Sequence, residues 1–445
     1  MPVTLRSAAV VRRRPDRLSA STPASVSVDL IRRLPCTVIV DVPGHTAREL
    51  ADRVRSACTA SGFEYPRTRV VVNVALPPDP RRMDPYPTGA GAQGLSLAIA
   101  LGVLAAAERI DAALLDDVAA IGGLALDGKV EEVRGIAAMV EAALDAGAHT
   151  VLVPKRAELL SLRVALGARG RHGAPVFAVA SLRDAVAALR HEAGDYHLVA
   201  PMEPWEVELA AEPQAATRPN VRDVTLHHEA VDACADAVVR GENGVVLVGP
   251  PGCGKTALAV RVNSLRPAAT SAELCEIVLT SDLAGLGGAL CRPFRAPHFT
   301  ISQAAAVAEV ALADHGVLML DEADLFPLPT IEAIAEAVKG RRVFVVLAAN
   351  GESPALAERM ERLRIARVAQ LPIARAADAA PARSVPDVLA AAEARRCTKT
   401  HGTSGTRCIL GAGHEGEPHL YRCASPTCPG LPWAASASPH PSPCR

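Results

Sequence analysis

The sequence predicts an α/β protein of more than one domain, and three observations carry that expectation. Short apolar runs at residues 245–248, 317–320 and 343–349 each stop at a chemically distinct polar or glycine-rich end. Such runs of four to eight residues, bounded by turn signals, are the pattern of buried strands. A helix-like segment follows the first run and another separates the second from the third, the alternation of an α/β module. An N-terminal region of about the same size repeats the alternation, and 445 residues suffice for two or three cores.

Taken in order, residues 1–24 carry Arg6, Arg12, Arg13, Arg14 and Arg17 and read as a flexible basic arm. No apolar segment follows them, so no export signal is expected. Residues 25–199 form the first expected domain: strands at 38–42 and 69–74 around an amphipathic helix at 47–61, a helix at 95–108, and a strand-like run at 118–126. A turn at Asp127 and Gly128, a helix at 135–146 and a strand at 150–153 follow. The longest apolar run, 95–107, is too short to cross a bilayer and reads as a core helix. Residues 200–220 are rich in Pro, Glu and Ala and read as a linker. Residues 221–373 make the second domain. Residues 374–445 are expected to be an Ala/Pro-rich linker and a partly disordered Cys/His-rich tail.

The chemistry is most legible in the second domain. Gly249, Pro250, Pro251, Gly252, Cys253, Gly254, Lys255 and Thr256 spell G-x-x-x-x-G-K-T after an apolar strand and before a helix. In that context glycines let backbone N–H groups wrap a phosphate chain. Lys255 is expected to reach the β- and γ-phosphates of ATP, and Thr256 to ligate Mg²⁺. The strand at 317–320 runs into Asp321 and Glu322. Asp321 is expected to hold Mg²⁺ and Glu322 to polarise the attacking water, with strand alternation sending the two carboxylates to different tasks. The third strand ends at Asn350, an amide placed to sense the terminal phosphate or the water.

Composition excludes several classes. A net charge of -1 gives no global attraction to nucleic acid or to an anionic membrane. Hydrophobic residues at 49% and charged residues at 21% describe a soluble globular chain. Eleven cysteines, an odd number, with no export signal place the chain in a reducing cytoplasm. Cys36, Cys58, Cys234, Cys253, Cys275 and Cys291 are scattered and read as small buried residues.

Several strings converge on one family. VPGHTAREL at 42–50, SGFEYP at 61–66, VVNVAL at 71–76 and RPFRAPHFTIS at 292–302 resemble the magnesium-chelatase-like AAA+ ATPases of the ComM/YifB type. The resemblance covers roughly residues 28–350. It implies a Lon-protease-like α+β domain followed by a P-loop AAA+ module, a homo-oligomeric ring, and relatives engaged in DNA branch migration or metal chelation. In the Lon-like domain, Ala92 stands where a serine nucleophile would be and Ala137 where a lysine base would be. The expectation is therefore a peptidase fold without peptidase chemistry, and Ser96 reads as helix packing. The family's hairpin between the acid motif and the sensor strand has no room here. Arg359, Arg362 and Arg364 are candidate trans arginine fingers, with a solvated basic helix face as the alternative. Arg292, Arg295 and His298, with Phe294 and Phe299, suit either a nucleic-acid contact or a structural role between ring neighbours, the second being favoured. An ATP-gated regulatory module without motor activity, and a chelatase-type motor subunit, stand as alternatives to the DNA-processing ATPase.

The tail offers Cys397, Cys408, His414 and His419 as one four-ligand set for Zn²⁺, with Cys423 and Cys428 competing for places. No C-x-x-C pair fixes the choice, and unligated thiols are the alternative.

Overall fold

A computed structural model describes residues 2–12, 19–80, 82–83, 87, 90–155, 159–171, 173–216, 219–224, 227–372, 381, 383–394, 419–421 and 431–433. The chain divides into two compact units. Unit 1 is Met1–Thr217 with Ala269–Arg292, and unit 2 is Arg218–Ala268 with Pro293–Arg445. Both are α/β. No helix among the described residues is long and apolar enough to cross a membrane.

Unit 1 holds strands β1 (Val3–Arg12), β2 (Ser19–Ile31), β3 (Cys36–Val40), β4 (Arg69–Ala75), β5 (Val118–Ala120), β6 (Gly123–Leu124), β7 (Val130–Glu131), β8 (Thr150–Pro154), β9 (Val176–Val179) and β10 (Tyr196–Leu198). Eight of them form one mixed sheet in the order β10-β9-β8-β5-β1-β2-β4-β3. Helix Ser96–Ala106 is apolar all round and buried, as the sequence predicts for a core helix. At its N-terminal end Ser96 Oγ donates to the carbonyls of Gln93 at 2.8 Å and Gly122 at 3.2 Å, a packing role.

Residues 2–12 and 19–24 are not an arm. β1 and β2 form a long antiparallel hairpin at the centre of the sheet, from Val3 opposite Val28 to Arg12 opposite Ser19. Leu5, Ala8, Ala9 and Val11 are buried, and Arg6 reaches Asp117 at 2.7 Å. The arginines obscured a strand whose small apolar residues fill the sheet interior. The segment 200–220 is not a free linker either. Pro204–Ala216 is a helix, and Met202 and Val207 are buried in the unit 1 core. Two buried side chains anchor a composition that reads as a linker.

The expected single block at 221–373 is also interrupted. Residues 269–292, which lie between the glycine loop and the acid strand in sequence, fold into unit 1. Helix Ser271–Ala284 places Leu274, Cys275, Ile277 and Val278 in the unit 1 core. Its Asp282 carboxylate accepts the Ala137 N–H at 2.9 Å, and its carbonyl accepts the Gly135 N–H at 3.2 Å. Asp282 thus caps helix Ile136–Asp145, whose own N-cap, Gly135, has no side chain to do so.

Unit 2 is a five-stranded parallel sheet: β11 (Gly244–Val248), β12 (Phe294–Arg295), β13 (Val317–Leu320), β14 (Phe344–Ala349) and β15 (Val368–Gln370), ordered β12-β13-β14-β11-β15. Its inner strands are buried on both faces, as parallel sheets require. Between β13 and β14 lie one 3₁₀ turn and helix Leu328–Val338, with no hairpin. The expected Ala/Pro-rich linker contains helix Val385–Ala394, whose Val388 and Ala392 are buried against the unit 2 core. Cys36 is exposed and Cys253 half-buried, against the expectation of buried thiols. Cys58, Cys234, Cys275 and Cys291 are buried, and burial pushes the Cys58 and Cys234 thiols up to about 12.

Glu141, on helix Ile136–Asp145, is buried with one carboxylate oxygen unpartnered. Burial raises its pKa, opposed by the Arg171 and Arg169 charges. A raised carboxyl pKa means that the folded form loses stability as pH rises through that value, and keeps it below the unfolded value. Glu141→Gln is therefore expected to stabilise unit 1 at neutral pH. The gain should vanish below about pH 4, and urea unfolding at pH 7 and pH 4 measures it.

Candidate functional site

Register in the unit 2 sheet assembles the site. Val248 pairs with Ala349, and Leu320 pairs with Leu347, so adjacent parallel strands end on the same side. The residues that follow them, Gly249, Asn350 and Asp321, emerge together at the carboxyl edge, where open parallel sheets bind ligands.

The glycine loop follows β11. Gly252 and Gly254 have φ of 80° and 100°, and a Cβ on either would meet no atom within 4 Å. Their need for glycine is conformational. Gly249 differs: a Cβ there would lie 2.2 Å from the Leu371 carbonyl and 2.8 Å from Cys253 Sγ. The Leu371 N–H in turn donates to the Val248 carbonyl at 2.7 Å, so the chain beyond β15 pins the base of the loop.

Lys255 opens helix Lys255–Arg261 and is buried. Its ammonium donates to the carbonyls of Gly249 at 2.7 Å and Pro250 at 3.1 Å, and to Asn350 Oδ1 at 3.0 Å. Three oxygens spend the three ammonium protons. The exposed Thr256 hydroxyl donates to Asp321 Oδ2 at 3.1 Å. The structure therefore brings Lys255 to Asn350 and Thr256 to Asp321, four residues from three strand ends.

Asp321 and Glu322 do not diverge by strand alternation, because β13 ends at Leu320. Glu322 turns left-handed at φ 50°, with its N–H donating to Asp321 Oδ1 at 3.0 Å. That conformation is uncommon for a residue with a Cβ, and Glu322 is exposed.

A hydroxyl and a carboxylate side by side are hard oxygen donors and suit Mg²⁺. An ammonium beside open glycine backbone suits polyphosphate. The residues present therefore fit Mg²⁺ and a nucleoside triphosphate. Among the described residues no group of three or more His, Cys, Asp or Glu could hold a metal by itself. The tail positions Cys397, Cys408, His414, Cys423 and Cys428 lie outside the described residues. His419 opens a three-residue strand, His419–Tyr421, whose side chains do as well.

Other expected residues are committed elsewhere. Arg359 is buried and donates to the Phe326 carbonyl at 2.7 and 3.2 Å and to the Ala355 carbonyl at 2.6 Å, so it is not free to reach a neighbour. Arg362 pairs at 3.5 Å with Glu332 and at 3.9 Å with Glu358, and Arg364 is exposed at the helix end. Arg295 grips Glu309 with two bonds at 2.6 and 2.8 Å, and Arg292 pairs with Glu273 at 2.9 Å. His298 stacks on Phe299 with ring centroids 4.2 Å apart. Both guanidinium groups thus serve intrachain pairs. Ala92 and Ala137 are fully buried. Sequence reasoning missed β15, whose signal is the alternation of exposed Val368 and Gln370 about buried Ala369, and it missed Asp282.

Residues 26–157 match the family described as subunit ChlI of Mg-chelatase, and residues 220–360 match magnesium chelatase, subunit ChlI. The chain is 30% identical over 333 residues to the uncharacterized protein YifB of Escherichia coli K12, covering 72% of this chain and 60% of that one. It is 28% identical over 339 residues to competence protein ComM of Haemophilus influenzae, covering 72% and 61%. The uncharacterized protein Rv2897c of Mycobacterium tuberculosis is 29% identical over 324 residues, covering 69% and 59%. The chain thus spans about three fifths of the length of the curated relatives it matches.

The loop glycines separate two costs. Gly249→Ala should destabilise unit 2 by about 1–3 kcal/mol, because backbone must move. Gly252→Ala should cost about 1 kcal/mol, from φ alone. Chemical denaturation of the two variants beside the parent checks the order.

Proposed function

The chain belongs to the magnesium-chelatase-like proteins of the ComM/YifB type, and from that premise we propose that it binds ATP with Mg²⁺ at residues 249–256 and hydrolyses it. The observation that carries this reading is the paired geometry of Lys255 with Asn350 and Thr256 with Asp321 at adjacent strand ends. ATP supplies the transferable γ-phosphoryl group, and Mg²⁺ neutralises its charge. Lys255 exchanges loop carbonyls for phosphate oxygens as acceptors. Thr256 and Asp321 are the metal-holding oxygens, with Gly249, Pro250, Pro251, Gly252, Cys253 and Gly254 forming the cradle. Glu322 is the general base that orients water, and its left-handed backbone is the local strain expected where geometry serves chemistry. Asn350 senses the terminal phosphate while holding Lys255.

Unit 1 is read as a Lon-like fold without peptidase chemistry. Ala92 and Ala137 provide neither nucleophile nor base, and the Ala137 N–H is occupied by Asp282. A homo-oligomeric ring follows from the AAA+ reading, with Arg362 or Arg364 rather than Arg359 as a trans finger. Free thiols at the six described cysteines suit a cytoplasmic site. The name of the Haemophilus relative, a competence protein, makes DNA the substrate to test. One observation favours a second reading, an ATP-gated assembly module: only a turn and one helix separate β13 from β14, where substrate-gripping hairpins would lie.

Purified full chain should hydrolyse ATP in Mg²⁺. Glu322→Gln should lower the rate by about 10²–10⁴-fold while retaining ATP. Turnover equal to that of Glu322→Gln would remove the hydrolase claim. Rates measured with and without single-stranded and branched DNA, beside the mass in a non-hydrolysable analogue, separate the readings. Stimulation by DNA supports the motor; DNA-independent turnover with nucleotide-dependent assembly supports the module.

A further inference from the structure

We infer that the open edge of the eight-stranded sheet is a docking groove for an extended acidic peptide of a partner protein, which adds to β3 as a further strand. This does not rest on the ATPase reading, since every residue involved lies in unit 1.

β3 is the outermost strand and pairs, in parallel, with β4 alone. An unpaired strand edge presents alternating N–H and C=O groups, and most proteins cover or blunt it. Among the described residues no strand other than β4 pairs with this one. The run 31–36 that leads into it is exposed throughout, including Ile31 and Leu34, and so is Val40 near its end.

The edge is also the floor of a groove. A cleft of 280 Å³ has Thr37, Val38 and Ile39 of the strand on one side, and Arg48, Asp52 and Arg55 of helix Gly44–Ala60 on the other. Spacings of four and three put these helix residues on one face. A second cleft, of 420 Å³, continues from it and shares Thr37 and Arg55. An edge strand flanked by a helix, with pockets along its length, is the architecture that receives a peptide by strand addition.

Charge selects the occupant. Arg48, Arg55 and Arg67 line the two clefts, and exposed Arg32 and Arg33 precede the strand. Of the two lining carboxylates, Glu64 is engaged by Arg109 at 2.8 Å and by Arg67 at 3.6 Å. That leaves Asp52 against Arg48 and Arg55 in the lining, with Arg32 and Arg33 ahead of the strand. Arg55 stands at the junction of the clefts, 5.9 Å over the Tyr65 ring, and the Tyr65 hydroxyl bonds Thr37 Oγ1 at 2.9 Å. A guanidinium held by an aromatic face presents its planar fork, which suits a carboxylate. The floor distinguishes peptide from nucleic acid. It offers donors and acceptors in alternation, which a peptide backbone matches, whereas a phosphate chain offers acceptors only.

The test uses fluorescence anisotropy with the full chain and a labelled decapeptide of alternating Val and Glu. Binding is expected. It should weaken by about tenfold or more when alternate backbone nitrogens of the peptide are methylated, since strand addition needs those N–H groups. Replacing Glu by Lys in the peptide, or Arg55→Gln in the protein, should weaken it comparably. Undiminished binding of the methylated peptide, indifference to Arg55→Gln, or no binding at about millimolar concentration overturns the proposal. So does displacement of the peptide by a thymidine oligonucleotide, or self-association of the chain that Arg55→Glu abolishes. These results would assign the groove to nucleic acid or to a second copy.

Discussion

The ammonium of Lys255 is the contact around which the unit 2 site is organised. It is buried, and it holds Gly249, Pro250 and Asn350 through three hydrogen bonds. A buried charge without such partners would be costly. Two strand ends must therefore meet at this nitrogen, and the pairing of Val248 with Ala349 makes them meet. The same constraint explains the crowding at Gly249, where backbone carbonyl and thiol already fill the place of a side chain. It also places Thr256, one residue on, within reach of Asp321, which follows β13 on the far side of β14.

The helix Ser271–Ala284 shows how closely the two halves of the sequence are interleaved. It arises between the glycine loop and β13 in sequence, yet its buried apolar residues belong to the unit 1 core. Its Asp282 satisfies backbone donors that helix Ile136–Asp145 leaves open at Gly135 and Ala137. The chain crosses between units on either side of this helix, so unit 1 is incomplete without residues 269–292.

What was legible in the sequence had a local signature. The strands at 245–248, 317–320 and 343–349 carry continuous apolar runs, so their ends could be placed from the sequence, and Lys255, Thr256, Asp321 and Asn350 at those ends are brought together in pairs. What was not legible depended on distant partners. β1 looked like a basic arm because Arg6 and Arg12 dominate its composition, while the alternation that buries Leu5, Ala9 and Val11 is carried by small residues. The helix at Pro204–Ala216 looked like a linker because its anchorage is Val207 with the small, partly buried Ala210 and Ala211. Arg359 looked like an exposed helix cation, and only the Phe326 carbonyl, 33 residues away, shows that it turns inward. The exposure of Glu322 follows from a left-handed residue that no pattern of hydrophobicity predicts.

If Lys255, Asn350, Thr256 and Asp321 form one site for a magnesium-bound nucleoside triphosphate, as proposed above, binding must depend on both the metal and the ammonium. Isothermal titration of the full chain with ATP, in Mg²⁺ and then in chelator, tests it most directly. One ATP should bind per chain, weakened by chelation and weakened by about tenfold or more in Lys255→Ala, which removes a charge-assisted contact. Binding indifferent to both Mg²⁺ and Lys255, or no heat of binding at about millimolar ATP, would contradict it.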